Sequence, residues 1–319
     1  MTRFRDEFDL DDSVEAAAQA FGNVDAETLV KDYWVTESLR ALVRAHGGAF
    51  VFKGGTSLTK AIGCIDRFSE DLDILITDKP DDVSFDALMK SMAAAVEDAT
   101  GLEAVLVRST RNVKREVRYR YPTRHEGLFM PEIVVEMGRR GGDLPIHLDR
   151  EVSPMIAETP GSTLDVDRYG DLRSFDVRVL HPARTLWEKV ILVHGDVASG
   201  VWKEHADPTR FARHYGDIGA LLLLGEVQRT LRDSAVRCAI DADVRSISGR
   251  WYVEPEPCPK GGYAYSPAFN PNGEFGRFLK SSFDEAVERL WSPGRRPTLE
   301  GMLATVAASR LLLDPTECS

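Results

Sequence analysis

Phe52-Lys53-Gly54-Gly55-Thr56-Ser57, followed by Ser69-Glu70-Asp71-Leu72-Asp73-Ile74, constrains this chain more than any other stretch. It reads as a strand end, a diglycine turn, a short helix and a second strand carrying two carboxylates. Alternate residues of a strand point to the same face, so Asp71 and Asp73 project together, about 7 Å apart by strand rise. Acids fixed that way repel each other unless a cation sits between them. A hard divalent ion with oxygen ligands, such as magnesium, suits the pair. The diglycine lets backbone approach a phosphate closely, and the N–H groups of the helix it opens favour an anion. A phosphate cradle beside a metal pair points to chemistry on a nucleoside triphosphate. It is not a Walker A loop, because no Gly-Lys-Ser/Thr opens the helix.

Other residues can join this centre. Glu136 interrupts the apolar strand Ile133-Val134-Val135-Glu136-Met137. If that strand neighbours the Asp71 strand, Glu136 is a third carboxylate, either a metal ligand or the base for an attacking hydroxyl. Glu132 shares its face and competes for the role. Lys189 lies at the margin of the helical stripe Leu186, Trp187, Val190, Ile191 and Val193. There it either reaches a triphosphate as a point charge or lays its stem over the core. Arg213 and Asp217 stand four apart on a helix and share a face. Asp217 steadies Lys189 or an arginine, accepts a proton, or makes a surface ion pair. Ser69 precedes Asp71 by two and joins its face if the strand begins that early.

The 319 residues suffice for two domains, and the composition, 43% hydrophobic and 29% charged, is that of a globular protein. No apolar run is long enough to cross a membrane, and Met1 to Asp6 lacks the apolar core of a secretion signal. Cys64, Cys238, Cys258 and Cys318 show no metal-binding spacing, so neither a zinc site nor a disulfide framework is expected, and a cytoplasmic location is the default. A net charge of −11 argues against non-specific coating of nucleic acid. Arg108, Arg111, Lys114, Arg115, Arg118, Arg120 and Arg124 nevertheless crowd one segment, either as a solvated face or as a track for a phosphate-bearing ligand.

Periodicity and caps give strands separated by helices up to residue 138, a mixed α/β pattern rather than an even βαβ series. Asp25 is expected to cap a helix to His46, and Ser84 one to Thr100. Residues 138–178 look irregular and hold the domain boundary, separating 1–178 from a mainly helical 179–319. The expected helices there are Pro182 to His194, Pro208 to Leu224, 226–242, Phe275 to Leu290 and Thr298 to Leu313.

Lys31-Asp32-Tyr33-Trp34, Phe52 to Lys60 and Arg67-Phe68-Ser69-Glu70-Asp71-Leu72-Asp73, with Leu186-Trp187-Glu188-Lys189 and Arg213-His214-Tyr215-Gly216-Asp217 further on, resemble the AbiEii/AbiGii family of nucleotidyltransferase toxins, which includes the MenT toxins. The likeness runs from Lys31 to Leu224. It implies a polymerase-beta-like nucleotidyltransferase core with a C-terminal helical domain. It also implies a Mg2+-dependent enzyme that moves a nucleoside monophosphate from an NTP to an acceptor. In the MenT branch that acceptor is RNA, the 3′ end of tRNA, and a cognate antitoxin is the implied partner. Asp71 and Asp73 would hold magnesium, with Glu136 as the third acid. Gly54, Gly55, Thr56, Ser57 and Lys60, with Ser69, form the candidate triphosphate set; Lys189 would bind phosphates and Asp217 complete the site. Two rival readings are a small-molecule nucleotidyltransferase and a nucleotide-binding protein without turnover.

Overall fold

The computed structural model describes residues 2–67, 69, 71–125, 130–291 and 296–316. Phe68 and Glu70 of the acidic motif, part of the loop between Pro122 and Pro131, and Cys318 lie outside them. The chain divides into two compact units, and each draws on separated segments.

The first unit takes Met1–Ala61, Phe68–Arg139 and Leu148–Val179. Its elements are α1 (Phe4–Glu7), α2 (Leu10–Phe21), α3 (Ala26–His46), β1 (Phe50–Lys53), α4 (Gly54–Lys60), β2 (Asp71–Ile76), α5 (Phe85–Thr100), β3 (Glu103–Thr110), β4 (Lys114–Arg120), β5 (Glu132–Gly138), β6 (Leu148–Val152) and β7 (Phe175–Val179). The caps act as expected: the Asp25 carboxylate accepts from the Thr28 N–H, and the Ser84 hydroxyl accepts from the Ala87 N–H. The strands form one mixed sheet of seven in the order β3-β4-β5-β2-β1-β7-β6. β2 lies antiparallel to β1 and parallel to β5, while β7 is parallel to β1.

The region 138–178, expected to be irregular, contains β6 and β7. These strands, Leu-Asp-Arg-Glu-Val and Phe-Asp-Val-Arg-Val, are five residues each, with charges between the apolar positions. Runs that short carry little periodic signal, and what fixes them is pairing: β6 with β7, and Val179 beside Phe52 of β1. One face of the sheet is apolar: Leu72, Ile74, Val117, Tyr119, Ile133, Val135 and Met137 are buried. α5 covers this face, its Ala93 carbonyl accepting from the Tyr119 hydroxyl at 3.1 Å. The opposite parity carries Asp71 and Asp73 on β2, Glu132 and Glu136 on β5, and Lys114, Glu116, Arg118 and Arg120 on β4.

Asp171 fixes the N-terminus to this unit. Its carboxylate is buried, accepts the Phe4 N–H at 2.7 Å and takes the Tyr33 hydroxyl of α3. Burial, then the charge of Asp171, pushes the Tyr33 phenol far above its ordinary range, so it stays a donor.

The second unit takes Ile62–Arg67, Arg140–His147 and Leu180–Ser319. Its elements are α6 (Pro182–Ala198), α7 (Pro208–Leu223), α8 (Gly225–Arg232), α9 (Ser234–Trp251), α10 (Glu274–Lys280), α11 (Phe283–Leu290) and α12 (Leu299–Ala308). The single helix expected over Phe275 to Leu290 is two, broken at Ser281-Ser282, where both hydroxyls bond back to the Phe278 carbonyl. α7 packs against α6, α11 and α12, and Trp187 of α6 and Phe211 and Tyr215 of α7 are fully buried. Cys64 and Cys258 are free, whereas Cys238 is disulfide-bonded, a bridge that the scattered spacing did not suggest. Among the described residues no helix is long and apolar enough to cross a membrane.

Asp171→Ala removes an acceptor from two buried donors, so the variant is expected to be less stable by about 3 kcal/mol, read as a lowered denaturant midpoint. An unchanged midpoint would show that the N-terminal tie contributes nothing.

Candidate active site

The turn between β1 and α4 is built around a bare Cα. Gly54 has φ +76, a left-handed conformation that L side chains rarely adopt. A Cβ there would stand 1.9 Å from Asp73 Oδ2. Gly54 is therefore glycine for two reasons, the backbone angle and the carboxylate that fills its side-chain space. Asp71 and Asp73 share a face of β2, with Lys53 opposite Asp73 on β1 and Glu136 opposite it on β5.

The neighbouring polar residues mostly hold this turn together. The buried Thr56 hydroxyl donates to the Asp71 carbonyl at 2.6 Å, which fastens α4 to the start of β2. The buried Ser57 hydroxyl donates to the Gly54 carbonyl at 2.8 Å, and Gly55 accepts from the Thr59 hydroxyl. Lys60 makes a buried ion pair with Asp32 and donates to the Ser153 carbonyl. Moving it to a phosphate would strand the Asp32 charge, so Lys60 acts as a strut. β2 begins at Asp71, which leaves Ser69 ahead of the strand. Lys31-Asp32-Tyr33-Trp34 of α3 serves the same scaffold: Asp32 also accepts the Met155 N–H at 2.7 Å, Tyr33 binds Asp171 and Trp34 stacks on Tyr121.

Asp71 and Asp73 offer hard oxygen donors from one strand face, and the missing Cβ of Gly54 leaves Asp73 the room it occupies. That donor set fits a divalent cation completed by phosphate and water oxygens. Among the described residues, no group of three or more His, Cys, Asp or Glu side chains is disposed to hold a metal ion. Glu136 is instead 2.6 Å from Lys114 Nζ. The basic segment is similarly matched: Arg118 pairs with Glu116, Arg120 with Glu132, Arg115 with Asp86, and Arg124 with Asp9, Asp11 and Asp12.

Within the second unit, Asp217 of α7 is fully buried between two cations. Arg67 grips it bidentately, Nε and NH2 each at 2.8 Å from a carboxylate oxygen, and Lys189 Nζ of α6 lies 3.0 Å away. Burial alone would raise the Asp217 pKa, but Lys189 and Arg67 outweigh it and bring it down to about 2. Burial, then the Lys189 charge, holds His214 well below its ordinary value, so it is neutral at pH 7. Of the two bases, Lys189 is the more accessible, 15% exposed against 5% for Arg67. Arg213, four residues from Asp217, is exposed and is not its partner. Arg67 carried no assigned role in the sequence; it sits 150 residues from Asp217, and no local pattern signals such a contact.

A diglycine turn seated on a strand with paired acids, in the middle of a mixed sheet, marks a nucleotidyltransferase. The family model for the nucleotidyl transferase AbiEii toxin of type IV toxin–antitoxin systems matches residues 39–302, and the chain belongs to that family. Among solved structures, MenT4, a nucleotidyltransferase toxin of Mycobacterium tuberculosis H37Rv, is similar at 18% identity and a TM-score of 0.45, over 94% of this chain and 99% of that one. No curated protein matches the sequence.

Gly54→Ala is expected to displace the Asp73 carboxylate and to lower nucleotidyl transfer by about 100-fold, the scale of a 1 Å misplacement. Circular dichroism should show the fold retained; full activity would show that Asp73 tolerates the shift. Asp217 has a folded pKa of about 2 against an ordinary 3.8. Its stabilisation, about 2 kcal/mol by linkage, is therefore complete above the ordinary value and lost as pH falls through the folded one. Acid unfolding between about pH 4 and 2 should be flatter in Asp217→Asn than in wild type; equal slopes would remove Asp217 from the acid transition.

Proposed function

We propose that this chain is a toxin that transfers a nucleoside monophosphate from an NTP to an RNA acceptor, the 3′ end of tRNA, and that a cognate antitoxin restrains it. The observation that carries the reading is the pair Asp71 and Asp73 on one strand face, with Gly54 bare beneath the Asp73 carboxylate. Such a pair suits a divalent ion, Mg2+ in the cell, which would supply positive charge against the charge that develops in the transition state. Asp71 and Asp73 would hold it.

An acceptor hydroxyl attacks the α-phosphate in line. The new bond is acceptor oxygen to phosphorus; the bond that breaks is phosphorus to the bridging oxygen, and pyrophosphate leaves. Glu136 steers the hydroxyl and receives its proton. Lys189 serves the departing phosphates, the role that the family resemblance implies. Gly55 and the backbone around it approach the triphosphate.

An RNA acceptor is favoured over a small molecule by the arginines of β3 and β4. Arg108 and Arg120 are exposed, so their guanidinium groups are accessible to a phosphate backbone at the surface.

Incubation with each labelled NTP, Mg2+ and total tRNA tests the reading. Label is expected on tRNA with wild type and reduced at least about 100-fold with Asp71→Ala. Label only on small-molecule acceptors would assign the first rival, and nucleotide binding without transfer the second. Expression of wild type, but not of Asp71→Ala, should arrest growth.

A further inference from the structure

We propose that Lys114 is a resident cation of the catalytic face, which commits Glu136 and leaves the chain a one-ion rather than a two-ion enzyme. The inference rests on the reading of Asp71 and Asp73 as metal ligands and adds a residue to it.

The sheet register creates the problem that Lys114 solves. Asp73 lies opposite Glu136 on β5, and Glu136 lies opposite Glu116 on β4. Three acids thus form a row across one face at strand spacing, about 4.8 Å apart. Like charges set directly opposite destabilise a sheet. Each of the outer two acids beyond β2 is matched by a base. Glu116 accepts from Arg118 Nε at 3.2 Å, with Arg108 at 4.0 Å. Glu136 Oε2 lies 2.6 Å from Lys114 Nζ. Lys114 stands opposite Gly138 in the register, where no side chain blocks the diagonal to Glu136.

The consequence concerns ion count. Two-metal transferases place their ions roughly 3.5–4 Å apart, and a second ion beside Asp71 and Asp73 would draw on the carboxylate opposite Asp73, Glu136. Here that carboxylate is the one bound to Lys114. An ammonium at hydrogen-bond distance from Glu136 repels a divalent ion approaching the same oxygens. Among the described residues no three such side chains are disposed to hold a metal ion. Lys114 then supplies, beside the acceptor hydroxyl, positive charge that a second ion would otherwise bring. It is a positioning residue: it acts by holding Glu136.

Mn2+ titrated into the protein alone, with free ion counted by electron paramagnetic resonance, tests this. Wild type is expected to bind one ion per chain, lost in Asp71→Asn. Lys114→Met, at a position 47% exposed and therefore tolerant, is expected to bind a second. Lys114→Met combined with Glu136→Gln should return to one, and Lys114→Arg should stay at one. Two ions in wild type, or one in Lys114→Met, overturns the inference while leaving the Asp71–Asp73 site intact. No ion in any variant overturns both.

Discussion

Asp73 holds its carboxylate in the space where residue 54 would otherwise carry a side chain, and the whole turn is arranged around that contact. The left-handed Gly54 swings the chain from β1 into α4. Thr56 then ties α4 to the first carbonyl of β2, and Lys60 ties its other end to Asp32 on α3. Each bond is modest by itself. Together they leave the strand that bears the acids little freedom, which is what a site depending on the separation of two carboxylates requires.

The units handle charge in opposite ways. On the open face of the sheet, acids and bases alternate so that Glu116, Glu132 and Glu136 each meet a lysine or arginine. In the helical unit, one buried carboxylate, Asp217, is shared by two bases, Arg67 and Lys189.

The local parts of this structure were legible in the sequence. The strand period of two put Asp71 and Asp73 on one face, and the Asp25 and Ser84 caps located α3 and α5. What escaped is set by distance along the chain. Lys60 reads as a phosphate ligand until Asp32 is found beside it. Arg67 has no visible purpose until Asp217 arrives. The basic run from Arg108 to Arg124 looks like a free positive track, yet its neutralising acids come from α2, α5, β4 and β5. β6 and β7 are strands because of their partners, not their composition.

The helical unit includes Ile62–Arg67, and the sheet unit ends with β7 at Val179, so neither is a continuous stretch of chain. On a ribosome this imposes an order of events. The central strand β1 acquires its β7 neighbour only after more than a hundred further residues have been added. Arg67 emerges early, and its ion pair with Asp217 forms only once α7 is made. Completion of both units waits on late synthesis, so a nascent or prematurely terminated chain lacks the finished charge cluster, and cutting the gene at residue 180 would separate Arg67 from the acid it neutralises.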